Sequence, residues 1–248
     1  MNYRIEIQYD GTRYNGWQRQ PKTKNTIQEK LENILTKMAG SRIEINGSGR
    51  TDAGVHALAQ IANFHMDIDM SEDEIRIYMN QYLPEDISIT KVEMVPERFH
   101  ARFHAVGKIY IYRIGISDCK KVFERKYIYP LGQNLDITAM RQAAALLTGT
   151  HDFMSFCANK RMKKSTIRTL QNIDIEERNH ELTLVFRGNG FLHHMVRILT
   201  GTLIEVGQGR RSPLDMTNIF KSQNRRMAGE TAPAKGLTLQ KVLYKGEA

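Results

Sequence analysis

Apolar positions alternate from Tyr3 to Tyr9, the two-residue period of a half-buried strand. After a polar, glycine-rich stretch (DGTRYNGWQRQP), the period becomes helical, with Ile27, Leu31, Ile34, Leu35 and Met38 on one face. Asn25 is placed to cap this helix and Gly40 to stop it. Arg42 to Ile45 reads as a short strand and Ala59 to Met66 as a longer one. Ser71 with Glu74 makes a capping box for a helix to about Tyr82. Pro84 ends that helix, and Ile87 to Val95 is again a strand. The order strand, helix, strand, strand, helix, strand predicts one small α+β sandwich.

The second half repeats the style without repeating the sequence. Lys108 to Ile116 predicts a strand, and Asp136 to Leu147 a helix ended by Gly149. Thr166 to Ile175 and Leu182 to Gly188 predict strands. Gly190 to Val206 reads as one long helix with Leu192, Val196, Leu199 and Leu203 on one face. Ser212-Pro213 resembles an N-cap followed by proline at the first helical position, and Leu237 to Tyr244 is a final strand. Two α+β halves are expected, 1–104 and 105–248, with no low-complexity linker between them.

Composition narrows the class. The chain has 248 residues, enough for one large or two ordinary domains. Mean hydropathy is -0.47, and the apolar runs are far shorter than the roughly 18 residues of a membrane span. MNYRIEIQYDG lacks a signal-peptide core, so a cytoplasmic protein is expected. Cys119 and Cys157 make neither a disulfide framework nor a CxxC knuckle, which fits a reducing compartment. Net charge is +9 and uneven: residues 1–104 hold 13 Lys/Arg against 15 Asp/Glu, while residues 105–248 hold 23 against 12. A basic second half suggests a polyanionic partner, most simply nucleic acid.

The candidate chemistry lies in GSGRTDAGVHA, Gly47 to Ala57. Gly47, Gly49 and Gly54 allow a tight loop. No Gly-Lys-Ser/Thr follows, so it is not a P-loop. Asp52 stands where a dinucleotide fingerprint needs its third glycine. There is no HExxH, and His100 and His104 lack a carboxylate or thiolate partner nearby, so no metal is expected. What remains is a carboxylate on a rigid loop beside Arg50, a cation that favours its ionised form. Such an aspartate can serve as nucleophile or general base; it can equally pair with Arg50 to stitch a turn.

GRTDAGVHA resembles the catalytic motif of the tRNA pseudouridine synthase A family. The resemblance continues through QYDGTRYNGWQRQ (Gln8–Gln20), FHARF (Phe99–Phe103) with KIYIYRI (Lys108–Ile114), GNGFLHHMVRILTGTLIEVG (Gly188–Gly207) and TAPAKGLTLQKVLY (Thr231–Tyr244). The matches keep the family order from end to end. The resemblance implies two ferredoxin-like α/β sandwich halves with mainly antiparallel sheets, forming a pseudouridine synthase core with the active-site cleft between them. It implies isomerisation of uridine to pseudouridine at positions 38, 39 and 40 in the anticodon stem-loop of tRNA, by a homodimer without cofactor or metal.

Residue by residue, the resemblance makes Asp52 the catalytic aspartate, adding to the base, attacking the sugar or removing a sugar proton. Arg197 would pair with it. Tyr110 would stack on the target base and could help move the C5 proton. Arg50 would contact RNA or help flip the base, or else brace the loop. Tyr112 shares a strand face with Tyr110, so period alone does not separate them. One of His193 and His194 would face the cleft beside Arg197, and His56 would order the loop. Lys160, Arg161, Lys163 and Lys164, with Arg210, Arg211 and the pair Arg225-Arg226, form basic clusters able to grip an RNA backbone. Two stretches depart from the family pattern: NKRMKKSTIRT is unusually basic, and KGLTLQKVLY lacks an expected aromatic. The rival readings are a catalytically silent RNA binder on the same scaffold, a synthase acting on another RNA, and a metal-dependent nuclease. The last is opposed by the lack of a carboxylate cluster around Asp52.

Overall fold

The computed structural model describes residues 1–159 and 164–246. In chain order the elements are β1 (Asn2–Tyr9), α1 (Ile27–Ala39), β2 (Asn46–Gly47), β3 (His56–His65), α2 (Glu72–Tyr82), β4 (Ile87–Val95), β5 (Ala105–Gly115), β6 (Tyr129–Pro130), α3 (Ile137–Leu147), β7 (Gly149–Asp152), β8 (Ile167–Arg178), β9 (Glu181–Gly188), α4 (Met195–Gly207), α5 (Asp215–Ser222) and β10 (Leu237–Tyr244). Short 3-10 turns lie among them, the first at Gly11–Arg13. Helices accompany mixed, mostly antiparallel sheets, so the fold is α+β. Two compact units are present. One contains Met1–Val106 and the C-terminal strand from Thr238; the other is Gly107–Leu237. The last strand, grouped by sequence with the second half, thus lies with the first.

In the first unit β1 pairs antiparallel with both β3 and β4. β3 also pairs antiparallel with β2 and parallel with β10. Alternation on β1 buries Tyr3, Ile5, Ile7 and Tyr9. α1 buries Ile27, Leu31 and Leu35 completely. At about 2 kcal/mol each these outweigh a cap worth about 1 kcal/mol, so packing holds the helix and the cap only sets where it starts. That cap is Thr26, not Asn25: the Thr26 hydroxyl accepts from Glu29 N–H. Asn25 instead donates to the Arg13 carbonyl. α2 carries the capping box of Ser71 and Glu74. Residues 42–45 form no strand; the short strand β2 follows them at Asn46–Gly47. The register of β1 on β3 shifts between Ile7 and Tyr9, next to the Gly47–Ala57 loop.

In the second unit β5, β9, β8 and β7 pair antiparallel in that order, with β6 parallel to β5. α3 and α4 approach closely: a Cβ on Gly207 would fall 2.7 Å from the Met140 sulfur. α4 is buried on nearly every side. Its two threonine hydroxyls therefore turn back onto the helix, Thr200 onto the Val196 carbonyl (2.9 Å) and Thr202 onto Ile198 (2.8 Å). α4 starts at Met195 and not at Gly190, because His194 takes a left-handed conformation (φ 60°) and interrupts the backbone while the apolar pattern runs on. His193 and His194 therefore precede the helix. α5 likewise starts two residues beyond Pro213, after a first turn closed by tighter bonds such as Asp215 N–H to the Ser212 carbonyl. Among the described residues, no helix is long and apolar enough to cross a membrane.

Candidate active site

Asp52 is half-buried at the turn between β2 and β3. Its carbonyl accepts from Val55 N–H at 3.2 Å, closing a tight turn behind the carboxylate. The loop before it is tied to β3: Ser48 N–H donates to the Ile61 carbonyl (2.7 Å), and the buried Gln60 side chain meets both the Ser48 hydroxyl (2.6 Å) and the Gly49 carbonyl (3.1 Å). Thr51 is held by the Tyr9 hydroxyl at 2.8 Å. Burial pushes the Tyr9 phenol far up, so this bond stays neutral.

The N-terminal motif wraps the other side of the same loop. Trp17 N–H donates to the Thr51 carbonyl (3.1 Å), and the Tyr14 carbonyl accepts from Gly54 N–H (3.3 Å). Gly11 N–H donates to the ring of buried His56 (3.0 Å). His56 thus orders the turn. Two glycines are required by contact. A Cβ on Gly16, whose φ is +88°, would lie 2.6 Å from the Thr51 carbonyl, and one on Gly47 would lie 2.6 Å from the Trp17 indole. Tyr14 is anchored in turn, its hydroxyl bound to Asp86, which also pairs with Arg13 at 2.7 Å. Arg50 is exposed, with its Nε donating to Gln18 Oε1 at 2.9 Å.

In the second unit the structure separates the two tyrosines of β5. Tyr112 is fully buried, and its hydroxyl donates to the Pro233 carbonyl at 2.7 Å. Burial raises its pKa strongly. A Cβ on Gly236 would strike its ring at 2.7 Å, which seats it in the core. Tyr110 is 7 % exposed and meets the half-exposed Phe191 edge to face, centroids 5.1 Å apart. Arg197 sits in the first turn of α4, and its Nε donates to the Ala232 carbonyl at 2.8 Å while its own carbonyl accepts from Ala232 N–H at 3.1 Å. The segment carrying Ala232 is itself laid along α4: Gly229 N–H donates to Thr202 (2.9 Å) and Glu230 N–H to Glu205 (3.0 Å). Gly201 permits this, since a Cβ there would fall 1.8 Å from the Glu230 carbonyl. Sequence reasoning missed this brace, because a backbone carbonyl leaves no signal in composition or spacing.

The basic clusters divide in use. Lys160, Arg161 and Lys163 lie outside the described residues; Lys164 is exposed. Arg210 is exposed and bonded to Gln208. Arg211 is held by Glu205 through two nitrogens at 3.1 and 2.9 Å. Arg225 is turned inward onto the Ala228 carbonyl and the Thr231 hydroxyl, and burial lowers its pKa; Arg226 is exposed.

Comparison with known proteins supplies a frame for this geometry. The sequence model of the tRNA pseudouridine synthase family matches residues 5–104 and 143–245. A tRNA pseudouridine synthase A of Bacillus sp. (strain KSM-64) is 45 % identical over 243 residues, covering 98 % of this chain and 99 % of its own. A tRNA pseudouridine synthase A 2 of Clostridium tetani is 44 % identical over 245 residues, covering 98 % of each chain. One of Bacillus cereus is 45 % identical over 243 residues, covering 98 % of this chain and 99 % of its own. With both matched stretches spanning the braced Asp52 loop and the Arg197 helix, the chain belongs to the tRNA pseudouridine synthase family.

Proposed function

We propose that this protein isomerises uridine to pseudouridine at positions 38, 39 and 40 in the anticodon stem-loop of tRNA, through an essential Asp52. As a member of its family it is an isomerase acting on tRNA uridine. The reading is carried by one observation. Asp52 stands half-buried on a loop tied to β3 on one side and to the N-terminal motif on the other, in a chain matched by tRNA pseudouridine synthases over nearly its whole length.

The reaction breaks the bond from C1′ to N1 and forms one from C1′ to C5. The C5 proton leaves to solvent and N1 gains a proton, so atoms balance within one nucleotide and no cofactor is needed. Asp52 acts as an ionised carboxylate on the base or the sugar. Arg197 supplies its counter-charge, with its guanidinium plane set by the bond to Ala232. Tyr110 stacks on the target base, which must leave its stack at a cost of a few kcal/mol. Arg50 assists that extrusion from the rim of the loop. Lys164 and Arg210, with Lys160, Arg161 and Lys163, grip phosphates. Arg211, proposed with them from sequence, serves in our reading to brace α4 through Glu205. Two ferredoxin-like halves, the last strand counted with the first, are supported in the first by the strand order β4-β1-β3 with two intervening helices. The enzyme works as a cytoplasmic homodimer on one tRNA.

The test is tritium release from tRNA carrying C5-tritiated uridine, with EDTA and no added cofactor. Wild type releases tritium and Asp52→Ala does not. Absence of release by wild type, with tRNA binding intact, would overturn the reading in favour of a silent binder or another RNA.

A further inference from the structure

A line of polar side chains runs from the interior of the first unit to Arg50. Glu32 on α1 is buried, at 4 % exposure, in a helix face that otherwise holds Ile27, Leu31 and Leu35. A buried carboxylate needs donors, and it has three: Gln28 Nε2 at 2.8 Å, Ile45 N–H at 3.1 Å and Arg19 Nη1 at 2.8 Å. Because a carboxylate only accepts, Gln28 must turn its nitrogen inward and its oxygen outward. That oxygen accepts from Arg19 N–H (2.9 Å) and from Gln18 Nε2 (2.7 Å). Gln18 is then forced to present its own oxygen to Arg50 Nε, 2.9 Å away. A single buried charge thus fixes two amide orientations, and with them the acceptor that sets the plane of an exposed guanidinium.

We infer that Glu32, Gln28 and Gln18 are positioning residues that act through Arg50, holding its guanidinium ready for the RNA before the substrate arrives. The inference rests on the reading of Arg50 as an RNA-contacting group. Arginine carries several flexible torsions, and an arginine fixed in advance loses less freedom when it engages a phosphate or base. A line that served only to stabilise α1 could end at Arg19; it runs on to Gln18 and the exposed rim of the Asp52 loop.

The experiment is a double-mutant cycle on the full chain, with Gln18→Met, Arg50→Met and the combination. Single-turnover isomerisation at saturating tRNA, tRNA affinity and the thermal midpoint are each measured. Gln28 Oε1 keeps its bond from Arg19 N–H when Gln18 is replaced, so no buried acceptor is orphaned. The expected result is a rate about tenfold lower for Gln18→Met, with affinity within about twofold and an unchanged midpoint. In the Arg50→Met background the same change has no further effect. Full additivity of the two changes, or an unchanged rate for Gln18→Met, would overturn the inference. An unchanged rate for Arg50→Met would overturn it too by removing Arg50 from the mechanism. Tritium release by wild type would still stand in that case, so the isomerase reading fails or survives separately.

Discussion

Gly16→Ala displaces the Asp52 loop from behind, and the structure sets the size of the effect. Gly16 has φ +88°, a region where an L-residue costs about 1–2 kcal/mol. Alanine recovers about 0.4–1 kcal/mol of that by restricting the unfolded chain. The new Cβ would lie 2.6 Å from the Thr51 carbonyl and 3.1 Å from the backbone of Asp52 and Ala53, where ordinary contact begins at 3.4 Å. Crowding of this kind costs about 1–3 kcal/mol, giving a total of about 3 kcal/mol. Gly40→Ala is the control. Gly40 has φ +66° but nothing within 4 Å of the added atom, so only the conformational cost of about 1 kcal/mol applies. Thermal unfolding should show Gly16→Ala lowered by roughly 6–12 °C and Gly40→Ala by roughly 2–4 °C. Moving the Asp52 backbone toward 1 Å should lower kcat about 100-fold in Gly16→Ala, while Gly40→Ala keeps wild-type kcat. Equal kcat in both variants would refute the claim that the N-terminal motif fixes the position of Asp52.

Three further outcomes follow from the second unit. Tyr112→Phe orphans the Pro233 carbonyl and should cost about 1–2 kcal/mol in chemical denaturation while tritium release persists. Glu181 has a lowered pKa: burial alone would raise it from 4.5, but hydrogen bonds and charge from Arg113 and Lys121 prevail. A depressed carboxylate contributes stability that is fully present above its unfolded pKa and lost as pH falls through the folded one. The thermal midpoint of wild type should therefore drop below about pH 4.5 more steeply than that of Glu181→Gln, and parallel curves would count against the cluster. Arg210→Ala should reduce the slope of log affinity for tRNA against log salt by about 0.7–0.9, whereas Arg211→Ala, already neutralised by Glu205, should leave the slope unchanged and lower stability instead.

How much of this was legible in the sequence depended on whether a signal was local. β4 and β10 run as their alternation predicts, and Ser71 with Glu74 starts α2, because each is written in a few adjacent residues. The start of α4 was not legible, since the apolar pattern passes unbroken through His194 while its backbone does not. The cap at Thr26 was missed because Asn25 is an equally good cap by type and is taken by the Arg13 carbonyl instead. The candidate site was named through a resemblance; Asp52 on a glycine-rich loop was visible from residues alone, but its chemistry was open. Trp17 beneath Gly47 and the line from Glu32 to Arg50 were hidden for a physical reason. Glu32 and Gln28 look like the solvated side of an amphipathic helix until residues 18, 19 and 45 are folded against them.

The central claim is tested most directly by mapping pseudouridine along one tRNA that carries uridine at positions 38, 39 and 40, using carbodiimide modification and primer extension. Wild type should give stops at those positions, and Asp52→Asn, which keeps the shape of the side chain and removes its charge, should give none while binding the tRNA normally. Pseudouridine formed by Asp52→Asn, or formed by wild type only outside the anticodon arm, would contradict the account.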